Sequence, residues 1–310
     1  VRSSAASDVY KRQMISSAEL SRAACCNLGE SFVTNPSVDV SYSDAATGAK
    51  QIKLLGLSGT YVQMLTENIP NYRGAAAPYG LGYVPGPWMQ SIQVSKGTSS
   101  VKNGYEAITG QINVEFKKPQ LPEADWVSAN LFASTTNRYE ANADATLKLS
   151  KRWSTSLLAH YENETKAHDG NDDGFVDIPQ VEQYNVWNRW AYMGDHYVFQ
   201  AGIKALSETR TSGQANHGGT MHSGDLYKVG IDTERYEFFT KNAYIFNKEK
   251  NTNLALILST TLHNQDATYG RKLYNVDQTN VYASLMFETE FNPQNSFSAG
   301  LSFNYDAYDQ

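Results

Sequence analysis

From Ala124 onward, apolar and polar residues alternate in blocks of roughly ten residues, the length a tilted strand needs to cross a bilayer. Tyr139, Ala141, Ala143, Ala145, Leu147 and Leu149 alternate with Glu140, Asn142, Asp144, Thr146 and Lys148. The segments Trp153–Glu162 and Phe297–Asp306 repeat the pattern. Side chains two apart share a face of a strand, so each block has one apolar and one polar face. The polar members are small, hydroxylic or charged. A hydrated lumen accepts such residues, whereas a dry sandwich core rejects them. About nine strands are expected, near residues 126–135, 139–150, 153–163, 184–193, 196–207, 226–246, 252–264, 279–291 and 295–307.

The connections carry a second signal. Short turns fall at Ser150–Arg152, Gly194–Asp195, Asn247–Asn251 and Asn292–Gln294, and long loops are expected at Asn163–Gln183, Ser207–Asp225 and His263–Gln278. Only Thr136–Asn137 is tight on the long-loop side. Alternation alone would also suit a soluble sheet with one wet face. Short turns on one side and long loops on the other are the pattern of a transmembrane barrel. Aromatic residues near strand ends, such as Trp153 with Tyr161 and Phe297 with Tyr305, fit two interfacial belts.

The first third reads differently. Short apolar strands are expected at Tyr61–Leu65, Ile92–Ser95 and Gln111–Phe116, separated by Gly- and Pro-rich turns and by a polar connector, Ser99–Ala107, that holds Gly104. Val38, Val40 and Tyr42 alternate within Asn27–Asp44, and a short helix is expected over Ile15–Ala24 with Ser16 or Ser17 as N-cap. This is a small mixed α/β unit. Residues 1–13 lack periodicity and the apolar core of a signal peptide, so they are set apart as a non-native scar.

Composition narrows the functional classes. A net charge of −6 argues against nucleic-acid binding. The mean hydropathy of −0.50 would read as soluble, but barrels escape that rule because half of each strand is polar. No run approaches about 18 apolar residues, so no helical span is expected. The 20 tyrosines are an excess that interfacial belts would explain. The two cysteines, Cys25 and Cys26, are adjacent, which leaves no disulfide framework; they read as small buried residues, with a soft-metal or redox site as the alternative.

The stretch GLSGTYVQMLTENIP, followed by GLGYVPGPWMQSIQVSKGTSSVKNGYEAITGQINVEFKKP, resembles the plug domain of TonB-dependent outer-membrane receptors. Glu67–Pro70, Met89–Ser100 and Tyr105–Lys118 stand where that family has its successive plug motifs, in order and at similar spacing. Leu54-Leu55-Gly56 departs from the family's Ile-Arg-Gly, so no role of that arginine carries over. The resemblance implies a plug over residues 14–119 and the leading part of an antiparallel transmembrane β-barrel over residues 124–310. A plugged barrel needs about 22 strands, so it further implies a fragment of a protein about twice as long, lacking its signal peptide, TonB-contacting box and first plug strand. It implies an outer-membrane importer of a scarce ligand such as a siderophore, haem, cobalamin or metal chelate. Such a protein is energised by a periplasmic TonB-type partner and performs no covalent chemistry, so it is not an enzyme and needs no cofactor. A β-rich adhesin or carbohydrate-binding protein without transport is the alternative.

No triad spacing, P-loop or dinucleotide fingerprint occurs; Gly80–Gly82 opens no helix. Three loops carry candidate chemistry. Asn71–Tyr79 corresponds to an apical plug loop, where Tyr72, Arg73 and Tyr79 suit an anionic, ring-containing ligand. His217, Met221 and His222 suit haem or copper, or are coincidental in a polar loop. Asp169-Gly170-Asn171-Asp172-Asp173-Gly174-Phe175-Val176-Asp177 resembles half of an EF-hand calcium loop. There Asp169, Asn171, Asp173, the Phe175 carbonyl and Asp177 would offer oxygens, with Gln180 in place of the closing Glu. A solvated acidic turn is the alternative.

Overall fold

The computed structural model describes residues 12–22, 26–32, 38–57, 59–97, 106–121, 125–215, 226–292 and 294–310. The plug comprises β1 (Arg12–Ser16), α1 (Ser17–Arg22), β2 (Asp39–Asp44), β3 (Ala49–Lys53), β4 (Val62–Thr66), β5 (Ile69–Pro70), β6 (Met89–Lys96) and β7 (Gly110–Phe116). A mixed sheet runs in the order β1-β6-β7-β4-β5, with β4 and β7 parallel; β2 and β3 form a separate hairpin. Leu28, Leu54, Leu65, Ile92, Ile112 and Val114 are fully buried in this unit. The first strand takes in Arg12 and Gln13, which the pattern had set apart as non-native. Ile15 lies in the same strand, paired with Ile92, so the expected helix shrinks to Ser17–Arg22. Cross-strand packing against an apolar neighbour outweighs a weak helical period in so short a segment.

Nine strands follow: β8 (Val127–Ala133), β9 (Arg138–Lys148), β10 (Trp153–Glu164), β11 (Gln180–Met193), β12 (Tyr197–Gly213), β13 (Lys228–Asn247), β14 (Thr252–Tyr269), β15 (Lys272–Asn292) and β16 (Asn295–Asp309). They form one antiparallel meander in chain order, with β8 and β16 at its edges. Its concave face holds the plug. The nine expected strands and the short turns between them are all present.

The outer face shows why the sheet belongs in a membrane. Trp153, Tyr192, Phe199, Leu256, Leu285 and Leu301 lie near one level or pair directly along the register, and Ile203, Phe238 and Leu258 are exposed above them. The band begins in aromatic contacts at the short-turn end, where Trp153 lies 5.1 Å from Tyr192 and Tyr244 lies 4.9 Å from Phe246. It ends near Tyr161 and Tyr184, whose ring centroids are 4.9 Å apart. The register then crosses a polar row: Asn163, Glu182, Thr209, Asp232, Asp266 and Asn275 are successive cross-strand partners. Two aspartates directly opposite each other, as at Asp232 and Asp266, are tolerable only where water screens them. The band between these limits is the lipid face.

That boundary corrects the loop lengths. The expected long loop His263–Gln278 is absent; β14 and β15 continue to a tight turn at Gly270-Arg271, where Gly270 has φ 63°. Similarly β12 runs on to Gly213 and β11 begins at Gln180. The apolar half of the alternation stops where the strands leave the lipid, because outward positions there face water. The hydrogen-bonded ladder does not stop. In the full-length protein folded into phospholipid vesicles, Phe238→Arg should lower stability by about 2–4 kcal/mol and Asp266→Arg by less than about 1 kcal/mol. Urea titration followed by tryptophan fluorescence measures both; equal losses would refute the placement of the band.

Candidate functional site: the plug–wall contact and the upper lumen

The alternation that turns apolar side chains outward turns an unusual set inward. Arg189, Lys204, Glu208, Arg210, Arg235 and His263 are all buried, and each faces the plug. Apolar contact seats the two parts first. Phe116 at the end of β7 meets Trp187 edge-on at 4.6 Å, and Trp88 lies 6.2 Å from the same ring. The Arg189 guanidinium stacks over Trp187 at 4.5 Å, which desolvates it without removing its charge.

Arg189 then reaches the β4–β5 turn. Its Nη2 donates to Glu67 Oε1 at 2.6 Å and its Nη1 to the Lys117 carbonyl at 2.7 Å. Lys241 Nζ donates to the Glu67 carbonyl at 2.6 Å. Glu67 and Asn68 both adopt left-handed conformations, with φ 51° and 65°. Asn accepts such a turn readily; Glu does so at a cost of about 1 kcal/mol, which the two wall cations offset. Burial alone would raise the Glu67 pKa. The Arg189 and Lys241 charges outweigh it and hold the carboxyl down at about 2.

A second cluster lies beside the first. Glu237 accepts from Arg235 Nε at 2.8 Å and from Asn71 Nδ2 at 2.8 Å, and Lys204 Nζ donates to the Tyr72 hydroxyl and the Tyr83 carbonyl at 3.1 Å each. Near the start of β9, Arg138 bridges Glu30 of the plug, Glu140 and Glu162 at 2.7–3.0 Å. Arg210 pairs with Glu208 and donates to the Thr47 carbonyl of the β2–β3 turn. Lys117 of the plug pairs with Asp144 at 2.7 Å. Strands β9, β11, β12 and β13 thus each place a charge on the plug, and β10 supplies Glu162 to Arg138. The polar residues Glu140, Asp144, His160, Glu162, Asn304 and Asp306 face it as the alternation required.

The candidate loops fare differently. Tyr72 and Tyr79 are buried against the wall: the Tyr72 ring lies 5.4 Å from both Lys204 and Arg235, and the Tyr79 ring 4.9 Å from Arg210. Burial, then the Glu237 charge, pushes the Tyr72 phenol well above its ordinary pKa, so it stays neutral. Arg73 is held between Glu106 and Asp306 at 2.7 Å each. These three residues are therefore occupied with the wall and with other plug residues, because the apical loop packs closely onto the wall. Gly74 allows that approach; a Cβ there would collide with the Tyr308 hydroxyl and the Gln278 amide.

In the acidic loop, Gly174 takes φ 84° at the expected sharp turn. The side-chain oxygens are turned onto the loop's own backbone: Asp169 accepts from Gly174 N–H at 2.8 Å, Asp173 from Phe175 N–H at 2.8 Å and Asp177 from Gly170 N–H at 2.6 Å. Asn171 likewise accepts from Asp173 N–H. Among the described residues, no group of three or more His, Cys, Asp or Glu is placed to hold a metal ion. His217, Met221 and His222 lie outside the described residues, as does Cys25. Cys26 is buried, and burial followed by the Glu140 charge pushes its thiol up, which makes it unreactive.

Residues 5–111 match the family model described as TonB-dependent Receptor Plug Domain. A comparison with curated proteins finds no match. Among solved structures, the chain is similar to the open form of the ferric-catecholate import receptor Fiu from E. coli K12 (TM-score 0.74, 16% identity, 97% of this chain and 50% of that one). It is also similar to the FrpB iron transporter from Neisseria meningitidis (TM-score 0.74, 12% identity, 96% and 49%). The alcaligin outer-membrane receptor FauA from Bordetella pertussis gives a TM-score of 0.70 at 12% identity over 96% and 47%. The chain spans about half the length of these proteins, and at such identity the likeness concerns the fold. Residues 5–111 thus match the plug-domain model, and the whole chain, sheet included, has the fold of about half of each of these solved structures.

The Glu67 clasp makes a testable claim. A carboxylate whose pKa is depressed on folding stabilises fully above its unfolded value and progressively less as pH falls towards the folded one. The contribution of Glu67 should therefore be complete above pH 4.5 and disappear as pH falls from 4.5 towards 2. Glu67→Gln strands the buried Arg189 and the half-buried Lys241 and should cost about 3–5 kcal/mol at pH 7. Urea titration of the full-length protein at several pH values reads this: the difference between wild type and variant should shrink across that window. A constant difference would refute the clasp.

Proposed function

We propose that the chain is the plug and leading barrel wall of a Gram-negative outer-membrane receptor that imports a scarce extracellular ligand. The plug closes the lumen, and a TonB-type protein in the periplasm, acting after the ligand binds outside, displaces it. The observation that carries this reading is a plug domain seated on the concave, charged face of a sheet whose convex face is an apolar band. Two supports accompany it. The family model matched by residues 5–111 is that of the TonB-dependent receptor plug. The solved structures of similar fold include proteins named as a ferric-catecholate import receptor and an iron transporter.

The contact between plug and wall suits displacement. An apolar cluster joins the plug core to Leu158, Trp187, Leu206, Ile231 and Phe239 of the wall, and much of the remaining contact consists of ion pairs and hydrogen bonds. Such groups find partners in water when they separate, so separation costs less than tearing apart an oily core of equal area. The ligand itself undergoes no reaction; the work is conformational.

Cells carrying the full-length receptor should bind the ligand at their surface whether or not they are energised. Accumulation inside should require both the TonB-type protein and a proton gradient. Uptake of radiolabelled ligand in cells lacking that protein, with and without an uncoupler, measures this. Surface binding without any energy-dependent accumulation would favour the adhesin or carbohydrate-binding alternative and overturn the importer.

A further inference from the structure

Beyond the apolar band, β14, β15 and β16 rise above the plug, and a cavity of about 410 Å³ opens between them and the apical loop. Four rings line it: Tyr79, Tyr269, Tyr274 and Tyr308. Gln265 and Gln310 supply amides, and glycine, alanine, proline and valine complete the lining. Among the described residues, none that lines it is charged. Among the described residues, a neighbouring cavity of about 180 Å³, between the β2–β3 hairpin and β9–β12, is lined by three cations and four carboxylates, and another of about 690 Å³ includes Lys50, Arg73 and Glu106 in its lining.

The surroundings reinforce the contrast. The cation beside the cavity, Arg73, is already held by two carboxylates, Glu106 and Asp306, which leaves the group one negative charge in excess. An anion entering here would lose its water, find no free cation among the lining residues and meet excess negative charge. Ring faces and hydroxyls are already in position: Tyr274 and Tyr308 are exposed, with Gln310 donating to the Tyr274 hydroxyl at 3.4 Å and Gln278 to that of Tyr308 at 3.0 Å. Tyrosine offers such a surface at low conformational cost, and the volume lies in the range of small-molecule sites.

We infer that this cavity receives an uncharged cyclic ligand bearing hydroxyl or carbonyl groups, and that it excludes highly anionic iron chelates. The inference rests on the importer reading and names its cargo class. A neutral glycan and a neutral ferric trihydroxamate chelate share this chemistry. Stacking on the tyrosines and hydrogen bonds to Gln265 and Gln310 would hold either, with selectivity coming from the cost of desolvating charge.

The test is isothermal titration calorimetry on the full-length receptor in detergent with three probes: maltoheptaose, a neutral ferric trihydroxamate and a trianionic ferric tris-catecholate. At least one neutral probe should bind about tenfold or more tightly than the tris-catecholate, a difference of about 1.4 kcal/mol. Tyr274→Ala and Tyr308→Ala should each weaken that neutral probe about tenfold while leaving the melting temperature unchanged. Gln310→Lys, at an exposed position, should narrow the gap by admitting the tris-catecholate. Tighter binding of the tris-catecholate than of both neutral probes, or no binding of any probe, overturns the inference. Uptake separates the two readings. TonB-dependent accumulation of the tris-catecholate would defeat this inference alone, whereas a bound neutral probe whose uptake ignores TonB would defeat the importer reading alone.

Discussion

The structure turns on charge that is buried only when the plug is in place. Arg189, Lys204, Arg210, Arg235 and Lys241 project from the wall at inward positions where a soluble sheet of this size would carry aliphatic residues. Each finds its partner across or beside the plug: Glu67 for Arg189 and Lys241, Glu237 with Asn71 and Tyr72 for Lys204 and Arg235, Glu208 with Thr47 for Arg210. A buried ion pair contributes little net stability relative to an apolar one, but removing one partner is expensive. Plug and wall therefore specify each other closely.

The apolar contacts have a complementary role. Trp88, Phe116, Trp187 and Phe239 meet at the junction of β6 and β7 with β11 and β13, and Arg189 stacks on two of these rings. This cluster excludes water from one flank of the Glu67 clasp, which strengthens its electrostatics. It also places the strained β4–β5 turn where the wall cations can reach it. Higher up, the contacts become polar and then open into the uncharged tyrosine cavity. The lumen thus changes from a charged, closed seat around the plug to a neutral, ring-lined chamber above it.

On the outside, lipid imposes a single requirement over a limited height. Between the aromatic contacts at the short turns and those near Tyr161 and Tyr184, outward side chains are predominantly apolar; above them, the register crosses Glu182, Thr209, Asp232 and Asp266. The strands continue past that line because main-chain pairing depends on the neighbouring strand and not on the solvent. The membrane therefore determines the composition of the strands, while their partners determine their length.

Alternation, turn spacing and ordered plug motifs by themselves determined the two-part architecture, the nine strands, their order and which face of each is wet. These are local properties: side-chain direction follows from a two-residue period, and tight turns need particular residues at particular places. The pattern does not reveal the strand ends at His263–Gln278, because apolar alternation reports contact with lipid, which ceases before the ladder does. The candidate site was legible only in outline. Tyr72, Arg73 and Tyr79 were identified as chemically suitable, yet whether each is free or already partnered depends on a wall more than a hundred residues away. Charged residues at inward positions, Arg189, Lys204 and Arg235 among them, were a visible signal of a polar seat. Their pairing with Glu67 and Asn71 was not, nor was the convergence of Tyr79, Tyr269, Tyr274 and Tyr308 on one cavity. Those contacts join segments far apart in the chain, and only the curvature of the sheet around the plug brings them within hydrogen-bonding distance.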